Sequence, residues 1–169
     1  MPMKWRLTSG AWEPAAPGWG LVDVDTRQSV DPPALVTDEK IEMTPWDVHG
    51  TAVQFVRMHL AEKGYEVTSW QNCPEVNPSL WFVGDSKQLE WVVVRCARYP
   101  AGRPGPPANL EKIADRSEKL GKIGHFASLA LASAEQPLAA RDEPAVPLWR
   151  GHGMRVIFGG LVRCIDRQA

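Results

Sequence analysis

Four carboxylates, Glu66, Glu75, Asp85 and Glu90, lie near Ser79 and Arg95 in the middle of the chain. Two carboxylates brought together by neighbouring strands can hold a divalent cation such as Mg²⁺ against a phosphate. An arginine can instead grip a phosphate or carboxylate through paired N–H donors. Glu66 and Glu75 are the acids from which a metal site could be assembled. Asp85 falls in "GDSK", where its expected role is that of a turn former bonding its own backbone. Glu90 precedes Val93 by three residues, an odd offset that sends the two side chains to opposite faces of a strand. Arg95 follows Val93 by two and shares its face. It can bind an anion, or it can pair with an acid such as Asp47 or Glu66.

A basic patch is the other cue. Lys112, Arg116 and Lys119 recur at helical spacing, with Arg98 and Arg103 in the preceding segment. Such a patch can contact phosphates, but Glu111, Asp115 and Glu118 alternate with it, as on a solvated, ion-paired helix face. His49 is expected to pack or cap a helix, His125 lies among apolar residues, and His152 sits between glycines in a turn. None has a serine or cysteine nucleophile at motif spacing, and "GKIG" lacks the ending of a phosphate-binding loop. Cys73, Cys96 and Cys164 are odd in number and form no CxxC pair, so neither a disulfide framework nor a zinc clip is expected. That points to a reducing cytosol and a cytoplasmic protein.

Elements must position these groups. The 169 residues suit one domain with an appendage. A net charge of -1 gives no global field for nucleic acid or an anionic membrane, so either would need a local patch. The N-terminus has no unbroken apolar stretch before its prolines and is not read as a signal peptide. "FASLALASA" is too short to span a bilayer, and the eight tryptophans are expected to serve core and turn packing more than stacking. Residues 1–43, rich in Pro, Gly and Trp, read as an irregular extension with one short strand, "GLVDVD". At "TPWD", Thr44 suits a helix N-cap, Pro45 the first helical position and Asp47 the first turn. That helix runs to about residue 63, buries Ala52, Val53, Val56 and Leu60, and stops at Gly64. "YEVTSW", "LWFV" and "LEWVVVRCA" read as strands, the last two joined by "GDSK". The Pro- and Gly-rich segment 98–108 reads as a loop. Asn109 then caps a long predicted helix over 110–134, with Ile113, Leu120, Ile123, Ala127 and Leu131 on its buried side and Gly121 and Gly124 marking close packing. After a loop over 135–147, "MRVIFGGLVRCI" reads as a final strand broken or bulged at Gly159 and Gly160.

The fold class is therefore α/β, a central mixed β-sheet flanked by helices, in the order helix, three strands, helix, strand. This order, with "NPSLWF" leading by a hairpin into "WVVVRCARYP", resembles the core of the PD-(D/E)XK, or restriction-endonuclease-like, nucleases across residues 44–165. The resemblance places Ser79 where the family has a metal-binding Asp, Val93 where it has Glu, and Arg95 where it has Lys. A hydroxyl is a weak Mg²⁺ ligand, valine is none, and arginine stays protonated.

The resemblance thus implies a degenerate member that binds a protein partner or nucleic acid through the former active-site cleft, without cofactor or catalytic residues. One alternative is a divergent Mg²⁺-dependent nuclease with relocated carboxylates. The other is an assembly protein whose N-terminal extension mediates contact, including homo-oligomer formation.

Overall fold

Helix α1 (Pro45–Glu62) begins with a reciprocal cap. Asp47 N–H donates to Thr44 Oγ1 at 3.2 Å, and Thr44 N–H donates to Asp47 Oδ2 at 2.8 Å, which satisfies two of the donors that a helix start leaves open. Gly64, at φ +82°, ends it in the left-handed region that favours glycine. The predicted stripe, Ala52, Val53, Val56 and Leu60, is fully buried.

In this computed structural model the described residues are 3–6, 11–14, 21–31, 39–137 and 145–167. The chain divides into two units, Met1–Lys40 and Ile41–Ala169. The first holds a two-stranded antiparallel pair, β1 (Met3–Arg6) with β2 (Ala11–Pro14), so the extension is not wholly irregular. The strand expected at "GLVDVD" is corrected: Val22 makes one antiparallel bridge to Ser29. The chain turns after it because Asp23 Oδ1 accepts from the backbone N–H groups of Asp25 and Thr26. The side chains of Trp5, Trp12 and Trp19, on which an assembly role would rest, lie outside the described residues.

In the second unit β3 (Glu66–Trp70), β4 (Leu80–Val83), β5 (Leu89–Arg98), β6 (Ile123–Ser133) and β7 (Met154–Asp166) form one mixed sheet in that spatial order. All neighbours are antiparallel except β5 and β6, which run parallel. A parallel pair needs a crossover, and α2 (Leu110–Ser117) supplies it.

The long helix expected over 110–134 is thus two elements. Its first eight residues are helical, and residues 123–133 are the strand β6. Both faces of β6 are covered: Ala127 and Leu129 pack with α1, whereas Phe126 packs with Ile113 and Ala114 of α2. A strand buried on both faces carries a near-continuous apolar run, which resembles a buried helix in sequence.

The close packing expected at Gly121 and Gly124 is present. A Cβ at Gly124 would lie 2.2 Å from the Trp91 ring, and the Trp91 indole N–H donates to the Gly121 carbonyl at 3.1 Å. The expected bulge in the last strand is also present. Leu161 pairs with Ala127 and Phe158 with Leu129, so Gly159 and Gly160 together oppose Ser128, with Gly160 at φ +84°. Among the described residues no helix is long and apolar enough to cross a membrane.

Candidate anion-binding cleft

The hairpin strands differ in length, and the difference shapes the site. β4 has four residues and β5 has ten, so β5 outruns its partner. Strand pairing ends at Leu80 with Val92. Ser79 then closes the ladder: its N–H donates to the Val92 carbonyl at 2.8 Å, and its Oγ accepts the Val94 N–H at 3.2 Å. Its own carbonyl accepts from Gln71 N–H at 3.0 Å. Ser79 is 1% exposed, so its hydroxyl serves the backbone of the sheet and not a solvent-facing ligand position.

Beyond Ser79 lies a cleft of about 450 Å³ between the start of α1 (Pro45, Val48, His49), Pro74 of the β3–β4 connection, and residues 95–98 of β5. Arg95 is one of its lining residues. Nη1 of Arg95 donates to Asn77 Oδ1 at 3.0 Å and to the Val94 carbonyl at 2.8 Å. The guanidinium is half-buried, and burial pulls its pKa below the usual arginine range. Neither acid expected as a partner is engaged with it. Asp47 caps α1 and accepts from Arg150 at 2.8 Å, and Glu66 is exposed at the start of β3. Among the described residues Arg95 forms no ion pair with a carboxylate.

His49 is the second polar group of the cleft. It is 7% exposed, and its Nε2 has no hydrogen-bond partner among the described residues. Burial, and then the positive charge of Arg95, lower its pKa, so the ring is neutral at pH 7. Of the two roles expected for His49, capping is excluded, since Thr44 is the cap. Packing is only part of the account, because an unpartnered ring nitrogen in a buried setting is costly. Cys96 adds polarizable apolar wall: burial pushes its thiol up to about 12, so it is not a nucleophilic thiolate. All three cysteines are unpaired.

The remaining expected residues do not converge here. Val93 shares its strand parity with Arg95 but is fully buried in the α2-side cluster with Trp91, Ile113, Ala114, Phe126 and Ile165, and does not line the cleft. Arg98 lines the cleft but is already held by Glu42 and the Met43 carbonyl. Arg103 lies against Gly159 of β7. Lys112 and Arg116 are exposed on α2, while Lys119 falls past the helix end and so does not continue its face. The alternating acids there are drawn to Arg167, which pairs with Glu111 at 2.9 Å and Asp115 at 2.8 Å. Glu75 is exposed in a turn. Among the described residues no three His, Cys, Asp or Glu side chains gather as a metal-binding group, and Glu66 and Glu75 are both exposed.

Two sites run differently from expectation. The bond that Asp85 makes is to another side chain, not to its own backbone: its Oδ2 accepts the Tyr65 hydroxyl at 3.0 Å, and this contact raises the Tyr65 pKa. His125 lies on β6, not on a helix, and its Nε2 is 2.6 Å from Glu90 Oε2. Glu90, 3% exposed, also accepts from Ser86 Oγ at 2.7 Å. Glu90 stands on the α1 face, opposite to Val93, as the odd offset requires. The Ser86, Glu90 and His125 chain places the carboxylate in the middle, whereas activating a hydroxyl needs the imidazole there, so the cluster fastens the hairpin turn to β6. The pair is not visible in the sequence, where residue 125 reads as helical.

No curated protein and no solved structure matches the chain. The model of a family described as a domain of unknown function, DUF8840, matches residues 46–164, which takes in all of α1 and of the cleft lining but Pro45, the hairpin, and nearly all of β7. The chain belongs to the DUF8840 family.

Proposed function

We propose that this protein is a non-catalytic binding protein on a restriction-endonuclease-like core, and that it receives an anionic group of a protein partner or nucleic acid at Arg95. The order α1, β3, β4, β5, α2, β6, with β5 and β6 parallel across a helical crossover, supports the restriction-endonuclease-like reading, with β7 added at the edge. The observation that carries the functional reading is Arg95 itself. A half-buried guanidinium whose hydrogen bonds go to an amide and a carbonyl has lost hydration without gaining a counter-charge, and an anion restores that balance. His49 lines the same cleft, with its unpartnered Nε2 buried.

The test is a titration of the ¹⁵N-labelled chain with inorganic phosphate and with acetate, following the Arg95 side chain and the His49 ring. Saturable shifts that vanish in Arg95→Gln are expected. A parallel assay supplies single- and double-stranded DNA and RNA with Mg²⁺ or Mn²⁺. Metal-dependent cutting abolished by Glu66→Gln or Glu75→Gln would overturn the non-catalytic reading in favour of the relocated nuclease.

A further inference from the structure

We infer that the cleft takes an extended peptide, added as a strand alongside the free margin of β5, with the peptide's C-terminal carboxylate on Arg95. This rests on the anion-binding reading above and names the class of its ligand.

The backbone carries the first part of the argument. Successive residues of a strand turn their N–H and C=O groups to alternate sides. Val92 and Val94 turn theirs toward β4, since Val92 O accepts from Ser79 N–H and Val94 N–H reaches Ser79 Oγ. Cys96 and Arg98 therefore turn theirs the same way, beyond the last residue of β4. Among the described residues no strand pairs with β5 on that side past Val92, while β6 backs the other side as far as Arg98 opposite Leu131. A strand margin with free donors and acceptors, rigidly backed, is the template that strand addition uses.

Shape and charge fix the occupant. The margin is one wall of the cleft, and Pro45, Val48 and Pro74 face it. Proline offers no backbone donor, so these walls supply apolar contact for a side chain and leave the Cys96 and Arg98 backbone groups to the ligand. An added strand lies in line with β4, and Ser79, which precedes β4, occupies the next place along that line. The added chain has to end there. At that point Arg95 Nη1 bonds the Val94 carbonyl, which holds the guanidinium at the foot of the margin, where a terminal carboxylate would arrive.

A nucleic acid fits less well. Its phosphates need a spaced track of cations, and Arg103, Lys112 and Arg116 lie elsewhere while Arg98 is held by Glu42.

The experiment uses the full chain and a fluorescein-labelled random hexapeptide pool, synthesised once with a free C-terminal carboxylate and once amidated. Polarisation should show the free-acid pool binding at least about ten-fold more tightly, the size expected for a charge-assisted pair. The Cys96 and Arg98 amides should become protected from hydrogen exchange, and Arg95→Gln should erase the acid preference. The acid-against-amide comparison is made on the unaltered protein, so it decides even if that variant folds poorly.

Equal binding of the two pools overturns the inference, as does binding of neither. So does saturable binding of a single-stranded or duplex oligonucleotide that shifts the same amides while the peptides do not bind. If acetate and phosphate still shift Arg95 and His49 but neither pool binds, strand addition fails and the anion cleft stands. If no anion shifts them, both fail.

Discussion

Replacing Ser79 by alanine separates two views of that residue, the vestige of a metal site and a structural hydroxyl. In the structure Ser79 Oγ is the acceptor for the Val94 N–H at 3.2 Å, in a site where Ser79 is 1% exposed. Alanine leaves that buried donor without its partner while keeping the Ser79 N–H bond to Val92 O. Stranding a buried backbone donor costs about 1–3 kcal/mol. With a urea dependence of about 2 kcal/mol/M for a domain of this size, a loss near 2 kcal/mol lowers the urea midpoint by about 1 M. It lowers the melting temperature by about 4–8 °C. Far-UV circular dichroism across a urea series reads the first quantity, and the phosphate titration of the folded protein reads whether the cleft still binds. The expectation is a large change in the midpoint with phosphate affinity within about two-fold of the original. A midpoint unmoved, with phosphate binding lost, would refute the structural assignment of the hydroxyl and return Ser79 to the ligand site.

His49 makes stability depend on pH in a defined direction. Its pKa is lowered in the folded chain, first by burial and then by Arg95, so below the ordinary histidine value of about 6.5 the unfolded chain binds the extra proton and the folded chain does not. Stability is therefore complete above that value and falls as pH drops toward the folded pKa, by up to about 1.4 kcal/mol per pH unit for the single proton. His49→Leu should flatten that part of the profile in urea melts from pH 7 to 5, and a slope unchanged by the substitution would remove His49 as its source. Glu90→Ala strips the partner from both Ser86 and His125, and leaving a buried polar group without its partner costs about 1–3 kcal/mol each. A loss below about 1 kcal/mol, or Mg²⁺ raising the melting temperature of the unaltered chain but not of the variant, would contradict a purely structural Glu90.

The sequence carried α1, both hairpin strands and the β7 bulge because each is announced by local chemistry: a cap at Thr44, a stop at Gly64, turn residues at "GDSK", a glycine pair at Gly159 and Gly160. β6 was not legible, and the reason is arithmetic. Ile123, Ala127 and Leu131 are four apart, and four is both near one helical turn and an even number of strand residues, so the same positions mark a helix stripe or one face of a strand. What decides between them is non-local: pairing with β5 and cover by α1 on one face and α2 on the other. With β6 misread, the bond from His125 to Glu90 was invisible, since it forms only once residue 125 lies beside Val92.

Arg95 was found from its place on the strand, but its partner was not, because Asp47 is claimed by Thr44 and by Arg150, 103 residues away. The feature that gives Arg95 its setting was nonetheless written in the chain. "LWFV" before the turn is far shorter than "LEWVVVRCAR" after it, and a hairpin with unequal arms must leave the longer arm unpaired on one side past the end of the shorter. Ser79 and Arg95 sit at that end. The hydroxyl closes the last backbone bond that β4 can make, and the guanidinium occupies the Val94 carbonyl just beyond. The place where the resemblance to a nuclease finds no metal ligands is thus also where β4 stops pairing with β5, and the binding role proposed above is built on that margin.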